Sequence, residues 1–88
     1  MSIEYDPSKS RANLKKQGIS FFHAEQALRD PMALTIEDPD SRGEQRFIFL
    51  GADSLGRVLL VVHTKREEWS RLISARKASR GEAEKYHA

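Results

Sequence analysis

The run Val58-Leu59-Leu60-Val61-Val62, inside a stretch from Arg57 to Thr64 that is apolar on both faces, constrains this chain more than any other feature. A strand that is apolar on one face only can leave the other to water. One apolar on both must sit centrally, with neighbouring strands beside it and cover above and below. The run is far too short to cross a bilayer. Within 88 residues, this leaves room for one modest core built around that strand, and residues 1–88 are read as a single domain.

The periodicity on either side supplies the layers. Ile3-Glu4-Tyr5 alternates and reads as a short strand. Asp6-Pro7 is a helix start, since Asp caps free amides and Pro suits the first helical position. That helix runs to Lys16, with Lys15 and Lys16 at its negative dipole end and Gly18 as a left-handed stop. Its apolar face is thin, little more than Ala12 and Leu14. Ser20 caps a second helix with Phe21, Ala24 and Leu28 at helical spacing, and Phe21 and Phe22 read as core anchors. Asp30-Pro31 ends it.

After Pro31 the period becomes two. Ala33–Glu37 reads as a strand, Asp38–Gly43 as a polar loop, Arg46–Leu50 as the next strand, and Asp53–Gly56 as a hairpin connection. Lys65–Glu68 is a charged turn, and Arg71–Ala75 is a last strand. Ser79-Arg80-Gly81-Glu82 is a capping box that opens a final helix to Tyr86 or His87. The order is β-α-α-β-β-β-β-α. Short links favour antiparallel neighbours, so the expected fold is α+β, a four-stranded antiparallel sheet with the two early helices on one face.

Charge is unevenly spread although the net is only +2. Residues 19–44 carry six acidic groups against two basic ones, whereas residues 45–88 carry nine basic against five acidic. This suggests a basic working surface beside an acidic flank. The basic groups concentrate in Arg71, Arg76, Lys77 and Arg80, around the last strand-to-helix junction. Guanidinium groups present a rigid fork of donors that matches phosphate oxygens. The competing explanation, surface pairing of Arg71 and Arg76 with Glu37 or Asp38, would contribute little, about 0–1 kcal/mol per pair.

Several chemistries find no support. Cysteine is absent, which removes disulfides and thiolate metal sites and is compatible with a reducing cytoplasm. Glu4 and Asp6 stand where a basic signal segment would begin. His23, His63 and His87 lack ligand spacing, and no Walker loop, dinucleotide fingerprint or nucleophile elbow is present. No cofactor is expected. RNA, by contrast, carries its own nucleophile, the ribose 2′-hydroxyl. A protein that cuts it need only align that oxygen, stabilise developing charge and help protons move. His63, at the end of the central strand where its ring is expected to reach solvent, is one candidate for the proton; Glu82, Tyr86 and a lysine are others. Trp69 could stack on a base. A nucleic-acid-binding or protein-interaction module without catalysis would use the same patch.

Read together, Tyr5-Asp6-Pro7 with Lys9, Asn13-Leu14, Lys16-Gln17-Gly18, Ser20-Phe21 with Ala24, Asp30-Pro31, Glu44 with Arg46, Val61-Val62-His63, and Arg71 through Arg80 with Glu82 and Tyr86 resemble the BrnT family of bacterial toxins. The likeness spans about Ile3 to Tyr86. It implies a RelE-like fold and a metal-independent ribonuclease of a type II toxin–antitoxin pair, acting in the cytoplasm to inhibit translation and growth. It also implies a BrnA-type ribbon-helix-helix antitoxin that covers the toxin and represses the shared operon, so that operator DNA is met only through the antitoxin. Carried over residue by residue, it points to Arg46, His63, Arg71, Arg76, Lys77 and Arg80 as catalytic, with Glu44, Trp69, Glu82 and Tyr86 as secondary RNA contacts. The chain departs from the family at Gln17, where histidine is usual, and at Tyr5, where tryptophan is common.

Overall fold

The computed structural model describes residues 2–37, 46–65 and 68–88. Its elements run β1 (Ser2–Glu4), α1 (Pro7–Gln17), α2 (Phe21–Leu28), β2 (Leu34–Glu37), β3 (Arg46–Ala52), β4 (Val58–Lys65), β5 (Trp69–Lys77) and α3 (Arg80–His87). Glu44 and the polar loop Asp38–Gly43 lie outside the described residues.

The α+β class holds, with one correction. The sheet has five strands in the order β1-β5-β4-β3-β2, not four. β2 to β5 pair antiparallel as their short links require, and β1 adds to the outer edge of β5 in parallel, Ile3 opposite Ser70. A parallel pair needs a long crossover, and here nearly the whole chain between Glu4 and Trp69 serves as one. Three residues also carry too little alternation to reveal a partner.

β4 is central, as its two apolar faces require. On one side Leu59 and Val61 are fully buried, against Phe21, Ala24, Ala27 and Leu28 of α2 and against Ile19, Leu72 and Ala75. Phe22, by contrast, is 58% exposed, so only one of the two phenylalanines anchors the core. No residue of α1 is buried. Its thin apolar face is replaced by a polar lock: Asn13 Nδ2 donates to the carbonyls of Ile19 (2.7 Å) and Ala75 (2.8 Å), and Asn13 Oδ1 accepts from the Ala75 amide (3.2 Å). Beyond Glu4 the edge of β5 has no strand partner among the described residues, and one asparagine satisfies both backbone groups of Ala75 there.

The caps form as expected. Asp6 accepts from the Ser8 amide, and Gly18 is left-handed with φ 75°. Ser79 and Glu82 form the full capping box. Asp53 organises the hairpin by accepting from the Leu55 and Arg57 amides and from the Arg57 guanidinium. Its burial raises the carboxyl pKa, but these bonds more than offset that and leave it below the usual value.

Gly51 lets α2 meet the sheet, because a Cβ there would lie 2.1 Å from the Ala27 carbonyl oxygen. Gly51→Ala should therefore cost about 3 kcal/mol or more, the upper range of overpacking. That corresponds to a thermal midpoint lowered by more than ~10 °C. Gly81→Ala, with open space around the new methyl, should leave the midpoint unchanged or slightly raised in the same thermal melt.

Candidate active site

Strict alternation along β5 would put Arg71 and Arg76 on opposite faces, since five residues separate them. The structure does otherwise. Arg71 pairs with Thr64 and Arg76 with Leu60, so five steps along β5 match four along β4, with a bulge opposite Val62 and His63. Burial shows the same shift of phase: Ser70 and Leu72 face the helices before the bulge, and Ala75 does after it. An extra residue in one strand turns everything beyond it to the other side. Both arginines thereby reach the face away from α1 and α2. The residue count between them corresponds to about 13 Å along β4, at ~3.3 Å per residue.

Arg46 joins them. Arg46, Thr64, Arg71 and Glu4 form one row across four strands. Trp69, two residues before Arg71, shares its face, and the Arg71 guanidinium lies 6.0 Å from the indole centroid. Between the Arg46–Arg71 row and Arg76 the face continues through Ile48, Val62 and Ser74, all half-buried. At its far end Leu50 is buried, where α3 packs against β3.

The two β5 arginines are paired with Glu4 and Glu82, while Asp38, one of the partners considered from the sequence, lies outside the described residues. Arg71 Nη2 lies 3.1 Å from Glu4 Oε1, in an exposed contact of little strength. Arg76 is held far more firmly. Its Nη1 donates to Glu82 Oε1 (2.9 Å) and to the Lys77 carbonyl (3.1 Å), and its Nη2 to Glu82 Oε2 (3.0 Å). These bonds occupy three of the five guanidinium donors, and Nε and one Nη2 hydrogen have no partner among the described residues. Glu82 Oε1 also accepts from the Ser79 amide at 2.8 Å. The Arg76 bonds, then the Ser79 bonds, outweigh desolvation and bring its pKa down to about 2. Glu82 is thus an ionised positioning group, too weakly basic at neutral pH to serve as a proton acceptor of the usual kind.

The remaining expected site residues lie elsewhere. His63 is 3% exposed, not at solvent, and it faces the helix side with Phe47 and Phe49. Burial, followed by the Lys65 charge, lowers its pKa. Lys77 pairs with Leu59 and so points to the helix side at the strand end. Arg80 is almost fully exposed on α3 and pairs with Glu84. The Tyr86 hydroxyl donates to Asp30 Oδ2, and that bond to a carboxylate raises the phenol pKa. Asp30 also accepts from the amides of Met32 and Ala52, so Tyr86 fastens α3 to the end of α2 and to β3.

One residue of this face, and the bulge that shapes it, escaped the sequence reading. Thr64 is 3% exposed, and its hydroxyl has no hydrogen-bond partner among the described residues, although it lies in the row between Arg46 and Arg71. A lone hydroxyl at the end of an apolar strand was the available signal. The bulge itself was foreshadowed by the adjacent apolar pair Leu72-Ile73, which breaks alternation.

The model of the BrnT ribonuclease toxins of type II toxin–antitoxin systems matches residues 5–82, and the chain belongs to this family. Among solved structures it is similar to the Brucella abortus ribonuclease toxin BrnT, with 25% identity and a TM-score of 0.68. That match covers 91% of this chain and 99% of the Brucella one. No curated protein sequence matches. Family membership brings RNA as the substrate and an antitoxin as the partner. No helix among the described residues is long and apolar enough to cross a membrane.

Glu82 binds its proton less tightly folded than unfolded, so the Arg76–Glu82 pair contributes stability above the unfolded value of 4.5 and loses it as pH falls toward about 2. Urea titrations of wild type and Glu82→Gln across that window should show wild type losing stability more steeply, and Glu82→Gln already weaker at pH 7.

Proposed function

We propose that this chain is a metal-independent endoribonuclease that cleaves RNA on the open face of its sheet, with Arg46, Arg71 and Arg76 as its phosphate-binding groups. The observation that carries this reading is the β5 bulge, which turns Arg71 and Arg76 to one side. In the reaction the ribose 2′-oxygen attacks the neighbouring phosphorus and the bond to the 5′-oxygen breaks. The 2′-hydroxyl gives up its proton, the 5′-oxygen takes one up, and the products are a 2′,3′-cyclic phosphate and a 5′-hydroxyl. Charge accumulates on the non-bridging oxygens, where preorganised guanidinium donors stabilise it. Arg76, fixed by Glu82, supplies the rigid fork. Arg71 exchanges its exposed contact with Glu4 for phosphate, and Trp69 offers a ring for a flanking base. His63 and Lys77 have no part in this centre, because they stand on the helix side; Arg80, turned to solvent and paired with Glu84, is left out of it as well.

The cellular role that follows is growth inhibition through cleavage of RNA in the cytoplasm. A BrnA-type ribbon-helix-helix antitoxin neutralises the toxin and, through its own contact with operator DNA, represses the shared operon. The family match supports this reading.

Purified protein should cut RNA in the presence of a chelator and leave DNA and 2′-deoxy-substituted RNA intact. Equal cleavage of those substrates would exclude attack by the 2′-oxygen. Arg71→Ala and Arg76→Ala should each lower the single-turnover rate by about 10²–10³, the usual effect of losing one such donor. Arg80→Ala should stay near wild type.

A further inference from the structure

On the helix side, beyond the end of the α1–α2 layer, lies a hollow of about 170 Å³ lined by Thr35, Phe47, Phe49, His63, Lys65 and Ser70. His63 forms part of its floor. The imidazole stacks on Phe47 (5.7 Å, 29° between planes) and leans on Phe49 (5.0 Å, 40°). Neither ring nitrogen has a hydrogen-bond partner among the described residues, although both are buried. A buried polar group without a partner is costly, and such groups persist where something outside the folded chain completes them.

We infer that this hollow receives one aromatic side chain of the antitoxin, a tyrosine or tryptophan whose hydroxyl or indole N–H donates to the free nitrogen of His63. The inference rests on the toxin–antitoxin reading above. Size favours a single side chain, since sites for whole small molecules occupy ~300–1,000 Å³. The Phe47 and Phe49 rings make the lining mainly apolar, with Thr35, His63, Lys65 and Ser70 as its polar members, which suits residues that are apolar in body and polar at the tip. A neutral imidazole provides one acceptor for such a tip. RNA is the poorer occupant, because Lys65 is the one cation lining the hollow among the described residues, and Arg46, Arg71 and Arg76 stand on the opposite face. Interfaces commonly depend on a few buried aromatic anchors of this kind.

The test uses the antitoxin encoded beside this chain, titrated by calorimetry into wild type, Thr35→Trp and His63→Phe. Thr35 is exposed on the edge strand β2, so the new indole should fill the hollow without disturbing the core. His63→Phe keeps a flat ring and removes the unpartnered nitrogens, and its thermal midpoint should equal or exceed that of wild type. Both variants should bind antitoxin at least tenfold more weakly and cleave RNA at the wild-type rate. Antitoxin binding at wild-type strength in both would overturn the inference and leave the ribonuclease reading intact. Normal antitoxin binding with weakened RNA binding would also overturn it, and would mark the hollow as a nucleotide subsite. Wild type that cuts RNA without binding the antitoxin would overturn it together with the assignment of that partner. Absence of cleavage by wild type would count against the ribonuclease reading alone.

Discussion

The extra residue in β5 decides what this protein can do with its arginines. Without it, the strand that keeps Leu72 in the core would turn Ala75 outward and carry Arg76 under the helices, where a guanidinium has no place. With it, Leu72 and Ala75 both reach the core while Arg71 and Arg76 share the open face. The phase beyond the bulge is held by Asn13, which grips both backbone groups of Ala75 from α1. A helix with no buried residue of its own thus acts on the opposite face by fixing the register of the strand between.

The open face is closed at one end by a second set of polar contacts. Glu82 caps α3 and clamps Arg76, while Tyr86 ties the same helix to Asp30 and, through it, to Ala52. One short helix therefore orients the Arg76 guanidinium and braces the sheet. The two sides of the sheet then divide the work: cationic groups beside half-buried apolar residues on one, and an aromatic hollow with an unsatisfied imidazole on the other. On the proposed reading, RNA and the protein partner meet different faces of one sheet.

Much of the scaffold could be read from the chain because its signals are local. Asp6-Pro7, Ser20, Asp30-Pro31 and the Ser79–Glu82 box are decided by backbone groups a few residues away, and each formed as expected. The central position of β4 followed from its two apolar faces. The site was only half legible. Composition located the arginines, but their facing depended on a register shift whose one local trace was the break in alternation at Leu72-Ile73. The same alternation placed His63 on a face with Leu59 and Val61, correctly, yet its depth depended on Phe47 and Phe49 from β3. Parallel pairing of β1, separated from β5 by almost the whole chain, left no local trace.

The most direct test is an NMR titration of the side-chain N–H signals with an uncleavable 2′-deoxy-substituted RNA. The account predicts that the Nε–Hε resonances of Arg46, Arg71 and Arg76 shift as one set, at one saturating concentration, while signals from His63 and Lys77 stay in place. Shifts confined to His63 and Lys77, with those three guanidinium groups unmoved, would contradict it.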